Sequence, residues 1–133
     1  MNAMLPPPAP LRILIVEDSP DDAELMQLAL RRAGVGFTAA RVETEAEFTS
    51  RLDVDLPDIV LCDFHLPRFS CARVLEILES RGLRVPVVVV SRHISPSEAE
   101  ETMRRGANAC LMKDSLSRLA STVSAVLGEA ASR

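Results

Sequence analysis

Two acids stand side by side at Glu17-Asp18, a third at Asp63, a hydroxyl at Ser91 and a lysine at Lys113, and each directly follows an apolar run. Those runs are Ile13–Val16, Ile59–Cys62, Val87–Val90 and Ala109–Met112. If they are strands of one parallel sheet, all five groups arrive at the same edge. Three carboxylates gathered there repel one another, and burial adds to the cost of their charge. A divalent cation relieves both effects, and oxygen-only ligands with room for water suit magnesium. A lysine and a hydroxyl facing an acid cluster suit an incoming phosphoryl group, the first as a compact positive charge and the second as a single hydrogen bond. The chain has five glycines and no GxxxxGK pattern, so side chains and metal, not a backbone cradle, would hold the phosphate.

The order of elements supports that convergence. Strand candidates at Leu11–Val16, Phe37–Val42, Ile59–Cys62, Val85–Val90 and Ala109–Met112 alternate with helical patterns. The first helix carries Ser19 as N-cap, Pro20 in its first turn, Asp22 in the acid-favouring first turn, and Gly34 or Gly36 at its end. Thr44 with Glu47 reads as a capping box, as does Ser95 with Glu98. Ala72–Arg81 and Leu116–Leu127 show apolar stripes at helical spacing. Near-continuous apolar strands imply a sheet covered on both faces. Right-handed crossovers then give an α/β, doubly wound five-stranded parallel sheet with five helices. Ligands of such sheets bind at the carboxyl ends of the strands.

The stretches ILIVEDSPDDAELM, DIVLCDFHLPRFS, VVVVSRHIS and GANACLMKDSLSRL together resemble the receiver domain of two-component response regulators. The resemblance runs from about Leu11 to Leu127, with four motifs in order on four strand ends. It implies a flavodoxin-like strand order 2-1-3-4-5 and a receiver domain over 11–129, with a Pro-rich disordered tail at 1–10 and a short tail at 130–133. It also implies that Asp63 is the phosphoacceptor, taking phosphate from a histidine kinase or phosphotransfer protein. Asp18, Asp63 and the backbone carbonyl of His65 would ligate Mg2+, with Glu17 acting mainly through water. Lys113 would bind the phosphoryl oxygens and Ser91 would be the switching hydroxyl. His65 and His93 fall where the family tunes the lifetime of the phosphoryl group, although as bare residues they read as exposed loop histidines.

The chain departs from the family's pattern at four places. The usual aromatic switch residue is replaced by Cys110, so the coupling of Ser91 to a swinging ring is not expected here. The position after Ser91 is usually small, and Arg92 there would either narrow access to Asp63 or pair with the phosphate. Asp114 follows Lys113 where proline is common; a cis non-proline bond costs roughly 2.5–4 kcal/mol, so a trans bond is expected. Ser70-Cys71 replaces the common Asp/Asn-Gly. The forms LMKD and DFHLPRFS resemble receivers that stand alone or are attached to sensor kinases.

Composition narrows the alternatives. The chain of 133 residues suggests one domain, and with four Phe and no Trp or Tyr its core must be aliphatic. A net charge of -4 argues against a nucleic-acid surface. Three cysteines without metal-type spacing, and a start lacking a secretory pattern, suggest reduced thiols in a cytoplasm. No apolar run is long enough to span a membrane. The chain ends soon after the last helix, so no output domain is expected to follow; the expected partner is a downstream protein contacting the fourth and fifth helices, with a homodimer as an open option. The expectation is a phosphorylation-dependent bacterial signalling protein, not an enzyme apart from its own phosphoryl transfer and autodephosphorylation. The alternative is a degenerate receiver serving as an interaction module. A phosphohydrolase with a nucleophilic aspartate would want a second Asp where His65 stands, and a flavin binder would need phosphate loops that the chain lacks.

Overall fold

The computed structural model describes residues 9–131. The proline-rich start therefore lies almost wholly outside the described residues, as does the end of the short carboxy-terminal tail. Five strands alternate with five helices: β1 (Leu11–Val16), α1 (Pro20–Arg32), β2 (Phe37–Val42), α2 (Glu45–Val54), β3 (Ile59–Cys62), α3 (Cys71–Ser80), β4 (Val87–Ser91), α4 (Pro96–Arg104), β5 (Ala109–Met112) and α5 (Leu119–Ala131). The strands form one parallel sheet in the order β2-β1-β3-β4-β5. This is the doubly wound arrangement that the alternation implies.

Side-chain alternation along each strand divides the core in two. Leu14, Val16, Val60, Cys62, Val87 and Val89 join Phe48, Phe69, Val74 and Leu78 in one layer. Ile13, Ile15, Ile59, Leu61, Val88 and Val90 face the other way, onto Met26, Leu30, Leu119 and Val123. β1, β3 and β4 are buried on both faces; the edge strand β2 buries only Val42. Aliphatic residues dominate both layers, with Phe48 and Phe69 in tilted contact at 5.6 Å as the aromatic exception.

Helix boundaries follow their caps. Ser19, Thr44, Ser70 and Ser95 each accept a backbone N–H in the first turn of the helix they open. At Ser95 the reciprocal bond, from the Ser95 N–H to the Glu98 carboxylate, completes a capping box. At Thr44 it does not: Glu47 reaches one residue further back, to the N–H of Glu43. Gly34 ends α1 with φ +81°, a left-handed conformation that a side chain would strain. The last helix also begins differently from its apolar pattern. Lys113–Arg118 wind as a 3-10 turn with a kink at Ser115, so Leu116 precedes α5. The turn directly follows β5 and fixes Lys113 at the strand end.

At the opposite edge of the sheet, Asp58 anchors the entry to β3. It accepts the Arg12 N–H at 2.8 Å and the Arg12 guanidinium at 3.2 Å, and its own N–H donates to the Arg12 carbonyl. Partial burial raises the Asp58 pKa, but the hydrogen bonds from Arg12 outweigh it and leave the group below the usual range. Asp58→Asn is expected to cost about 1 kcal/mol, because the pair is half-exposed and screened. Since the folded pKa is depressed, the charge contributes stability above the ordinary aspartate range and loses it as pH falls through the folded pKa. Urea denaturation should therefore show the two proteins converging at acid pH.

Candidate functional site

Four strand ends deliver the groups. β1 runs into Glu17 and Asp18, β3 into Asp63, β4 ends at Ser91, and β5 runs into Lys113. The backbone N–H of Asp63 donates to the Val16 carbonyl and that of Glu17 to the Val42 carbonyl, so the sheet register extends to the site itself. Glu17, Asp63 and Ser91 are buried, whereas Asp18 is exposed.

Lys113 is the hub. Its Nζ donates to Glu17 Oε1 at 2.6 Å, Asp22 Oδ2 at 2.7 Å and Asp63 Oδ2 at 2.9 Å. Burial opposes the ammonium charge, but its hydrogen bonds to the three carboxylates outweigh it and hold the Lys113 pKa above its ordinary value. Glu17 shows the opposite balance. Its burial pushes its carboxyl up to about 7, against hydrogen bonds from Lys113 and the Ser19 N–H, and the charge of Asp63 adds to the rise.

Asp22 is the site residue whose role sequence reasoning missed. It was legible as a first-turn acid complementing the dipole of α1, and it does stand there. Its side chain, however, shares the buried stripe of Ala23, Met26 and Leu30 and points into the cluster. An acid in phase with an apolar stripe was the available signal. The hydrogen bond from Lys113, aided by Arg92, holds the Asp22 carboxyl below the usual range despite its burial. Arg92, expected from its position after Ser91 to narrow access to Asp63 or to pair with the phosphate, does not stand free for a phosphate. Its guanidinium lies on Asp22, with Nη2 2.9 Å from both carboxylate oxygens and Nε 3.3 Å from Oδ2. The reason is reach: a long side chain at the end of β4 meets the start of α1 across the sheet edge.

The two histidines are exposed. The His65 N–H donates to Asp63 Oδ1 at 3.0 Å. The His65 ring Nε2 lies 2.6 Å from the His93 carbonyl, and since a carbonyl only accepts, Nε2 carries the proton. The Ser91 hydroxyl donates to the same carbonyl at 3.1 Å. The loops after β3 and β4 are thus tied together beside Asp63. Cys110 is half-buried against the layer containing Cys62 and Cys71, and all three cysteines are free thiols. The Lys113–Asp114 bond is trans, like every described peptide bond.

Ligand oxygens of Glu17, Asp18 and Asp63 lie within 4.8 Å of one another. Such a set of hard oxygen donors, two of them buried, fits a small divalent cation.

The chain matches the response regulator receiver domain family over residues 13–124. It belongs to that family. The receiver is 28% identical over 110 residues to the probable transcriptional regulatory protein NarL of Mycobacterium tuberculosis, covering 83% of this chain and 51% of that protein. It thus spans about half the length of this curated relative. The solved receiver domain of the putative response regulator NarL from the same organism superposes with a TM-score of 0.76 at 28% identity, covering 95% of this chain and all of that one. The Mn(2+)-bound form of the response regulator Rcp1 superposes with a TM-score of 0.73 at 25% identity, covering 86% and 93%. Among the described residues of this receiver, no helix is long and apolar enough to cross a membrane.

Proposed function

We propose that Asp63 accepts a phosphoryl group from a histidine kinase or phosphotransfer protein in a Mg2+-dependent reaction, and that the receiver signals through protein contacts. The observation that carries this reading is the contact of Lys113 with Asp63 among three further carboxylates, Glu17 and Asp18 at the end of β1 and Asp22 in the first turn of α1. An Asp63 oxygen attacks phosphorus as the bond from phosphorus to the donor's imidazole nitrogen breaks. Both reactants are negative, so the chain's task is positioning and charge neutralisation. Lys113 supplies a fixed, desolvated positive charge beside the attacking oxygen. Glu17, Asp18 and Asp63, with the His65 carbonyl, would hold Mg2+, which when bound screens the phosphoryl oxygens from the attacking carboxylate. The metal-bound form of Rcp1 supports this assignment.

The Ser91 hydroxyl, which bonds the His93 carbonyl in the unphosphorylated chain, would turn to a phosphoryl oxygen and loosen that loop. Helix α4 is suited to respond, since it buries only Thr102. Cys110 offers no ring to swing, so the response would pass through the β4–α4 loop to the face formed by α4 and α5. Exposed His65 and His93 flank the route of hydrolytic water and would modulate the lifetime of the phosphoryl group.

The test is incubation with a small phosphodonor with and without magnesium, followed by intact-mass measurement. One phosphoryl group should be gained in the presence of magnesium only. No gain under any condition would favour an interaction module that does not use its acids.

A further inference from the structure

The ammonium of Lys113 has three N–H donors, and all three are engaged, by Glu17, Asp22 and Asp63. It can therefore meet a phosphoryl oxygen only by giving up one acceptor. The three acceptors are not equivalent. The remaining oxygens of Glu17 and Asp63 take backbone N–H groups, from Ser19 and His65. Asp22 instead has a second cation on it, the bidentate guanidinium of Arg92. A buried carboxylate stripped of its only cation is strongly disfavoured, and among the three acceptors only Asp22 has a second side-chain cation, Arg92, that stays with it whether or not metal is bound. The Arg92 side chain is itself 73% exposed, so it stays with Asp22 at little desolvation cost.

We propose that Asp22 and Arg92 are positioning residues for Lys113: Asp22 holds the ammonium at rest and, because Arg92 keeps Asp22 paired, releases it to the phosphoryl group arriving on Asp63. This rests on the phosphoacceptor reading. It makes Arg92 a residue that speeds phosphoryl uptake without touching the phosphoryl group, and Asp22 a residue that restrains it.

The signs of two substitutions follow. In Arg92→Ala, Asp22 has Lys113 as its sole cation and retains it, so uptake from phosphoramidate with magnesium should slow about tenfold. In Asp22→Asn the ammonium is freer and uptake should be faster than in the unsubstituted chain. Combining the two should give the rate of Asp22→Asn alone, because Arg92 acts only through Asp22. Arg92→Lys, which keeps the charge but loses the fork, should recover part of the loss. An equal slowing by Arg92→Ala in both backgrounds, no slowing, or a slower Asp22→Asn would each overturn the proposal. Arg92 is exposed, so its variants keep the fold, and thermal melts check Asp22→Asn.

A second readout needs no phosphate. Hydrogen exchange at Lys113 Nζ, followed by NMR, should be slowest in Arg92→Ala, fastest in Asp22→Asn, and unchanged by Arg92→Ala once Asp22 is replaced. If that order holds while the unsubstituted chain takes up no phosphate, the phosphoacceptor reading falls and the hold of Asp22 on Lys113 stands. Equal exchange in all the proteins overturns that hold, whatever the uptake assay gives.

Discussion

Replacing Asp63 with asparagine is expected to abolish phosphoryl uptake, by more than about a thousandfold, because an amide oxygen is no nucleophile for phosphorus. The substitution is close to isosteric and leaves the surroundings in place. The backbone N–H of residue 63 still donates to the Val16 carbonyl, and an amide oxygen can still accept from the His65 N–H or from Lys113. Stability should change by less than about 1 kcal/mol. One of three carboxylates around the ammonium is lost, but so is the repulsion that Asp63 exerts on buried Glu17. Intact-mass measurement after exposure to a phosphodonor, paired with a urea melt, separates chemistry from folding. Uptake by Asp63→Asn at the unsubstituted rate would place the acceptor elsewhere.

Lys113→Ala should be the most damaging substitution for the fold as well as for uptake. It leaves Glu17 and Asp63 without a cation, and breaking such a buried pairing costs roughly 3 kcal/mol. Asp22 suffers less, since it keeps Arg92. The deficit should depend on pH with a definite sign. Glu17, already up to about 7 with the lysine present, rises further when that lysine is removed. A carboxyl whose folded pKa is raised destabilises the fold as pH climbs from the ordinary glutamate range through the folded value. Metal-free urea melts should therefore show the gap between the two proteins widening as pH rises through about 7 and above. Uptake should fall about a hundredfold, the scale seen on removing one preorganised charge from a reacting site. A variant as stable as the parent at every pH would mean that water already relieves the cluster.

Much of this site is legible along the chain because each group lies next to its own strand. Glu17, Asp63, Ser91 and Lys113 take their positions from a residue count beyond an apolar run, and parallel pairing carries them to one edge. The capping residues Ser19 and Ser95 are equally local. Where a group's role depends on a partner far away, local grammar gives only half of it. Glu47 has the spacing of a capping box, yet the path of the chain entering α2 brings Glu43 to it instead. Leu116 has the phase of α5, yet the chain leaving β5 must turn tightly with Lys113 held in the cluster, and the helix starts later.

The sequence by itself determined the alternation, the parallel sheet, the strand-end chemistry and the family. These depend on periodicities of a few residues and on motifs read in order. Only the tertiary structure decided how the charges are paired. Asp22 and Arg92 are 70 positions apart, and the sequence pairs neither with the other: Asp22 reads as a helix-start acid and Arg92 as a residue facing Asp63 or the phosphate. Packing Ala23, Met26 and Leu30 against the sheet turns Asp22 inward, and the β4 end brings Arg92 across to it. The third acceptor of Lys113 is thus chosen by the packing of a helix against the sheet, which no spacing between the motifs encodes.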